Sequence, residues 1–285
     1  MSADKPFDRR LRRLRRDRAA AAPKASRYLH GLAADELIER LSWVKRDFVE
    51  ALNIGAADDY LSTQLRTRAM KVTSCDAGRL FGRATGVQCD EDHSPFADAS
   101  FDLVASVGVL DSVNDLPGAL TLIRRVLRPD GLFLAAFAGA GSLPRLRSAM
   151  LAADSAEGAA ASPRMHPQID VRAAGDLLLR AGFALPVVDC DSVTVRFASL
   201  PVLVADLRSM AATNILAQRS QRPIGRRGLA AAVADFSAAA DGDGKTAERF
   251  EILYLIGWSP SPDQPRPAAR GSATHSLAAA LPRRA

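Results

Sequence analysis

Apolar runs that alternate with helical patterns are the feature that most constrains the fold of this chain. Short runs that suit β-strands lie at 48–55, 69–75, 87–89, 101–110 and 132–139. Segments with apolar residues at helical spacing lie before or between them, at 31–48, 59–68 and 115–131. Strands and helices in this alternation predict an α/β domain with a doubly wound, mostly parallel sheet.

The second half of the chain predicts a helical insertion before a last strand. After a loop at 154–168, we expect a helix at 170–183 and a strand at 185–197. Two Ala-rich helices at 199–219 and 226–240 and a strand at 249–259 should follow. We therefore predict one domain at 31–259 with an internal helical insertion at 199–246. A basic arm at 1–30 precedes it, and a flexible Pro-rich tail at 260–285 follows it.

Positive charge is concentrated at the N-terminus. The formal net charge is +6, yet residues 1–30 hold ten Lys/Arg against three Asp, so the rest of the chain is close to neutral. Such an arm suits RNA, an anionic membrane surface or an acidic protein partner, and a solvated arm is an equal alternative. No apolar run approaches the roughly 20 residues that cross a bilayer. We expect a cytoplasmic bacterial protein that binds no DNA and whose arm would make any peripheral contact with the inner membrane.

The spacing of cysteine and histidine residues predicts no metal site. Three cysteines without a C-x-x-C pair indicate reduced, mostly buried thiols, at Cys75, Cys89 and Cys190. The four histidines lie far apart, without a carboxylate at metal-binding spacing, at His30, His93, His166 and His275. A ligand set that only folding brings together stays open.

The segment LNIGAADD, residues 52–59, has the strand, turn, helix order of a nucleotide-binding turn, but Gly55 is its only glycine. Two carboxylates about 4 Å apart repel by roughly 4 kcal/mol at an effective dielectric of 20, whereas a helix N-terminus attracts an anion by about 0.3–1 kcal/mol. We therefore expect a carboxylate ligand to bind poorly and Asp58 or Asp59 to cap the following helix. Weakened ligand binding and a different ligand remain alternatives.

Longer motifs add a family resemblance. The stretch DEDHSPFADASFDLVASVGVLDSVNDLPGALTLIRRVLRPDGLFLAAF, residues 90–137, resembles the class I S-adenosylmethionine (SAM) methyltransferases. Four further segments narrow the resemblance to the complex I assembly factor 5 group, relatives of the biotin-synthesis methyltransferases: FDRRLRRLRRDRAA, VNDLPGAL, LIGW and RPAARGSAT. The resemblance spans nearly the whole chain and implies a class I methyltransferase-like, Rossmann-like fold.

The resemblance also implies where SAM would bind. Gly55 matches the glycine turn after the first strand, and Asp76 matches the carboxylate that holds the ribose hydroxyls. Asp90, with Glu91, matches the acid near the adenine amino group. A turn acid or a solvated loop acid is the alternative for each carboxylate.

The chain departs from the family pattern at several of these places. Asn53 replaces the family acid, while Ala57 and Asp59 fill the later glycine positions. Asp111 and Ser112 replace the His and Trp of a stretch that usually reads LHWVND, which removes an aromatic wall and a possible base. We therefore expect SAM binding to be weak or lost, and no catalytic residue is assigned.

Two functions follow from the resemblance. The first is an assembly or maturation factor, with catalytic ability reduced or lost, that binds an iron–sulfur subunit of respiratory complex I through the arm and the helical insertion. For this group the resemblance implies hydroxylation of an arginine in that subunit, not methylation. The alternative is an active SAM-dependent methyltransferase or arginine hydroxylase that tolerates the altered first turn and acts on a protein.

Overall fold

The computed structural model describes residues 5–22, 27–55, 59–81, 86–264 and 272. The described strands are β1 Glu50–Ile54, β2 Lys71–Asp76, β3 Gly86–Gln88, β4 Phe101–Val107, β5 Leu127–Ala138, β6 Ala184–Phe197 and β7 Thr246–Trp258. They form one sheet in the order β3-β2-β1-β4-β5-β7-β6, in which β7 is antiparallel to both of its neighbours. The predicted doubly wound, mostly parallel α/β sheet is confirmed.

Helices cover both faces of this sheet. The described helices are α1 Arg9–Ala20, α2 Tyr28–Ser42, α3 Tyr60–Thr67, α4 Leu116–Val126, α5 Pro144–Ala156, α6 Val171–Arg180, α7 Leu200–Ser209 and α8 Arg226–Ala238. A short 3-10 turn at Leu110–Ser112 follows β4. None of the described helices is long and apolar enough to cross a membrane.

The core lies on both sides of the central strands. Every position of β4 is buried, as its nearly unbroken apolar sequence predicted. Val104 packs in one apolar cluster with Leu52 and Phe133, while Leu103 packs with Leu134 in a second cluster. Successive side chains of a strand point to opposite faces, so the two clusters are the two layers between sheet and helices.

Two parts of the second half differ from the sequence-based prediction. Helix α5 was not predicted, although it begins with Pro144 at a first helical turn that tolerates proline. Helix α7 ends at Ser209, ten residues before the predicted end at 219. Ala211 has φ +59°, and Ala212 N–H donates to the Leu207 carbonyl at 2.8 Å, which closes the helix with a left-handed turn.

The domain boundaries themselves stay predictions. Helices α7 and α8 do lie between β6 and β7, where the helical insertion was expected. Most of the Pro-rich tail, including most of the segment RPAARGSAT, lies outside the described residues.

Candidate functional site

Buried acids gather at the carboxyl edge of the parallel strands. Asp76 ends β2, and Asp90 and Glu91 follow β3. Their relative exposures are 1%, 5% and 4%. Because parallel strands end at the same edge of a sheet, the fold brings together the three acids that the sequence analysis singled out.

Helix α1 lies across this edge and pairs its arginines with the acids. Arg16 donates from Nε to Asp76 Oδ1 at 2.7 Å and from Nη2 to the other carboxylate oxygen. Arg12 donates to both oxygens of Glu91, at 2.7 and 2.8 Å. Two-point contacts between a guanidinium and a carboxylate are the strongest geometry for such a pair.

Two further pairs extend this contact outward. Arg13 pairs with Asp90, and Arg9 pairs with Asp92. The four arginines are spaced i, i+3, i+4 and i+7, so they occupy one face of α1. We call these four pairs the arginine ladder.

For the described helix α1, the ladder argues against one of the two alternatives, that of a solvated basic arm. Arg12 and Arg16 are only 5% and 4% exposed. The ion pair with Glu91 raises the pKa of the Arg12 guanidinium above its ordinary value, although burial alone would lower it. Since a buried charge is costly unless it is paired, the helix is held down by its partners across the sheet edge.

Local contacts explain why α1 forms and where it docks. The Asp8 carboxylate caps the helix by accepting from Leu11 N–H at 2.9 Å. Just before it, Phe7 is buried against Ile215 and Leu216. These contacts fix the start of the helix to the loop after α7, far away in sequence.

Gly55, directly after β1, lies close to Val109. Gly55 has φ +79°, and a Cβ at that position would lie 2.4 Å from a Val109 methyl group. Asn53, which replaces the family acid, donates from Nδ2 to Ser62 Oγ at 2.9 Å in the interior. Asn53 therefore points into the interior between β1 and α3.

The capping prediction for this turn is only partly tested. Asp59 stands at the N-cap position of α3, but its side chain makes no capping hydrogen bond, so the prediction is wrong for this residue. The Asp59 carbonyl instead accepts from Thr63 N–H at 2.8 Å. Ala57 and Asp58 lie outside the described residues.

The contacts of the edge carboxylates determine how SAM would fit there. Asp76, which the resemblance places at the ribose, uses both carboxylate oxygens on Arg16, and Glu91, which it places with Asp90 near the adenine, uses both on Arg12. Asp90 differs, because its buried Oδ1 has no hydrogen-bond partner among the described residues. Arg16 therefore occupies the carboxylate that the resemblance places at the ribose, whereas the carboxylate that it places near the adenine has one oxygen that accepts no hydrogen bond from the described residues.

A cavity of about 480 Å³ lies next to this edge, between β5, β7 and helices α2, α5 and α7. Asp111, the residue that replaces the family histidine, lines it together with His30 and His166. Burial raises the pKa of Asp111, and the nearby His166 opposes that rise. Ser112 contacts the ladder instead, because its Oγ accepts from Arg12 Nε at 3.2 Å.

His166 was not predicted as a site residue. Its Nε2 accepts from Ile215 N–H at 3.1 Å, and its ring meets Phe7 edge-on at 5.0 Å. Burial lowers the pKa of His166, with Asp111 opposing. An accepting Nε2 requires an unprotonated nitrogen, so this contact and the lowered pKa both favour neutral imidazole.

The cysteines lie apart from the cavity. Cys75 is buried, whereas Cys89 and Cys190 are partly exposed. Burial and a hydrogen bond from Sγ to Glu251 at 3.5 Å raise the pKa of Cys190 to about 11. Within the described part of the chain, no three His, Cys, Asp or Glu side chains are grouped so that they could hold a metal ion. His275 lies outside that part.

Known proteins are similar to this chain in sequence and in fold. Residues 52–135 match the family described as Methyltransferase domain. The arginine-hydroxylase NDUFAF5, mitochondrial, of Danio rerio is 33% identical over 283 residues, which cover 95% of this chain and 88% of that protein. The malonyl-(acyl-carrier protein) O-methyltransferase of Laribacter hongkongensis is 29% identical, covering 86% and 87% of the two chains.

A solved structure supports the fold alone. The methyltransferase-type protein BH2331 of Bacillus halodurans superposes with a TM-score of 0.53 at 16% identity, covering 80% of this chain and 99% of that one. The strand order and these matches together establish a class I methyltransferase fold.

Proposed function

Because the chain belongs to the family of the NDUFAF5 arginine hydroxylases, we propose that it is a maturation factor of respiratory complex I. Its client is an iron–sulfur subunit, and the change it brings about is hydroxylation of an arginine in that client. The similarity over 95% of the chain supports this proposal, because it includes the α7–α8 region as well as the part that matches the methyltransferase domain.

The arginine ladder is the observation that separates this function from ordinary methyl transfer. SAM would need the Asp76 carboxylate for its ribose, and Arg16 already holds both oxygens of that carboxylate. We propose that SAM binding is therefore weak in the docked state of α1. The altered turn at 55–59 works in the same direction, since it offers a single glycine for backbone approach.

The cavity is the part of this site that can receive a client side chain. Its volume of about 480 Å³ lies within the roughly 300–1,000 Å³ of pockets that bind small ligands. Asp111 provides the acid there in a lining that is mainly apolar. The other polar and charged lining residues are His30, Arg164, His166, Gln168, Arg208, Thr213 and Asn214. Such a lining suits the methylene chain of an arginine whose charged end meets a carboxylate.

An active SAM-dependent methyltransferase is the second candidate. Asp90 Oδ1 favours it: this buried oxygen lies 4.0 Å from Arg12 Nη1 but accepts no hydrogen bond from the described residues, and such an acceptor suits an adenine amino group. Under this alternative α1 swings away when the cofactor enters, and a protein side chain in the cavity receives the methyl group.

Intact-mass comparison of the complex I iron–sulfur subunit, from cells with and without this protein, distinguishes the two. An increment of one oxygen that disappears in the deletion strain supports the hydroxylase, and an increment of one methylene supports the methyltransferase. Identical masses in both strains would reject both activities. Affinity capture of the full chain tests the partnership separately, since it should recover the subunit whether or not it is modified.

A further inference from the structure

A second face of α1 carries arginines that the ladder does not use. Arg15 and Arg18 lie one turn apart on this face, and α1 packs on α7. Arg208 comes from the last turn of α7, and Arg219 from the loop beyond it. We call Arg15, Arg18, Arg208 and Arg219 the arginine patch.

The arginine patch is short of negative charge. Arg219 pairs with Asp8 at 3.4 Å. Among the described residues, no acid lies within ion-pair distance of the other three patch arginines. Arg15 donates to Thr213 Oγ1, and its buried Nε has no partner in the described part of the chain. Burial lowers the pKa of Arg15, and the neighbouring patch arginines lower it further.

The patch is continuous with the cavity. Arg208 and Thr213 line the same cavity as Asp111, and Arg208 is also exposed to solvent. Positive charge therefore lies where the cavity opens, while a carboxylate lies inside it. A ligand that matches both needs negative groups outside and one positive group within.

We propose that the arginine patch docks an acidic segment of the client protein and that Asp111 receives the guanidinium of an arginine within that segment. The inference rests on the proposed function for the identity of the client. A membrane surface or an RNA offers negative charge to the patch but brings no guanidinium to Asp111. A protein segment in which acidic residues flank an arginine satisfies both ends of the site.

A peptide-binding experiment tests the proposal on the full chain. The probe is a short labelled peptide with a central arginine between paired aspartates, followed by fluorescence anisotropy. Two matched peptides replace the arginine by citrulline or the aspartates by asparagines. We expect each replacement to weaken binding by about fivefold or more, and the aspartate contribution to decline with added salt.

Protein variants assign the two contacts. The double variant Arg15→Gln/Arg208→Gln should weaken the aspartate peptide by about fivefold or more while leaving the asparagine peptide unchanged. Asp111→Asn should remove the preference for arginine over citrulline. Arg10→Gln is the matched control, because Arg10 is an exposed arginine of α1 outside both the ladder and the patch, and it should bind like the wild type.

Several outcomes would overturn the proposal. Equal binding of the aspartate and asparagine peptides, or equal losses in Arg10→Gln and the double variant, removes the role of the patch. If the double variant loses binding to phosphatidylserine vesicles or single-stranded RNA but keeps the peptide, the patch serves a polyanion instead. Should Asp111→Asn fail to fold, the citrulline peptide on the wild type still decides the role of the carboxylate.

Failure here is distinct from failure of the proposed function. Peptide discrimination with an unmodified client in cells supports the docking site and rejects the hydroxylase activity. A modified client without peptide discrimination rejects the docking site and keeps the activity.

Discussion

Substitution of Arg16 by Gln should strengthen binding of S-adenosylhomocysteine (SAH). In the folded protein Arg16 holds both oxygens of Asp76, and both side chains are almost fully buried. A ribose can reach Asp76 only after that pair has separated. The glutamine is shorter and neutral, so it frees the carboxylate without adding a charge.

The magnitude follows from the burial of the pair. Breaking a buried ion pair costs about 3–5 kcal/mol, and each 1.4 kcal/mol changes a dissociation constant tenfold. Full release of Asp76 would thus strengthen binding by roughly two to three and a half orders of magnitude. Arg12 still covers Glu91 in the variant, so we expect the measured gain to be at least about tenfold.

Isothermal titration calorimetry with SAH measures this gain. The matched control is Arg13→Gln, which removes an arginine from the same helix face but from a pair whose arginine side chain is 47% exposed. Such a partly exposed pair contributes about 0–1 kcal/mol, so the control should change affinity little. The double variant Ala57→Gly/Asp59→Gly separates the effect of the turn from that of the ladder.

Two results would refute the reasoning about the ladder. One is micromolar SAH binding by the wild type, since it would show that the docked arginines do not compete with the cofactor. The other is an unchanged affinity in an Arg16→Gln protein that thermal unfolding shows to be folded. If that variant does not fold, Arg16→Lys keeps the charge but loses the two-point contact and should give a smaller gain.

Three further predictions concern stability and reactivity. Gly55→Ala should lower the free energy of unfolding by about 1–3 kcal/mol in urea titrations, because its Cβ would lie 2.4 Å from Val109 in a left-handed backbone; a neutral effect would contradict that packing. The folded-state pKa of His166 is lowered from 6.5, so the wild type should lose stability as the pH falls below about 6.5, and His166→Gln should lose less between pH 7 and 5.5. Cys190, with its pKa raised to about 11 from 9.0, should react with iodoacetamide at pH 8 about 100-fold more slowly than an ordinary exposed thiol, and rapid labelling in a peptide map would exclude the raised value.

Sequence patterns could predict the sheet because its signals are local. The apolar run at Phe101–Val107 predicts a strand that is buried on both faces, and the ends of the predicted strands place Asp76 and Asp90 at one edge of the sheet. Each of these inferences needs only neighbouring residues and the rule that parallel strands end together. The cavity could not be predicted from such local signals, since Asp111 and His166 meet only after α5 and the following loop have folded over the sheet.

Local sequence patterns could not predict where the basic arm docks. Arg16 and Asp76 are 60 residues apart, and Arg12 and Glu91 are 79 apart. Periodicity alone can place the ladder arginines on one helix face, yet a basic helix face also suits nucleic acid or lipid. What decides between these is the presence of buried acids at the right spacing on the sheet edge, which only the folded chain displays.

Under the two proposals, one helix contributes to two neighbouring sites with opposite charge requirements. Its inner face supplies charges that cancel the acids of an inherited cofactor edge, and its outer face leaves charges uncancelled beside the cavity. The inner pairs hold the helix in place, and only a fixed helix can present Arg15 beside Arg208. The ladder contacts therefore both occupy the acids at the sheet edge and fix the position of the arginine patch. We propose that this coupling allows a methyltransferase fold to lose affinity for SAM while it gains a surface for a protein client.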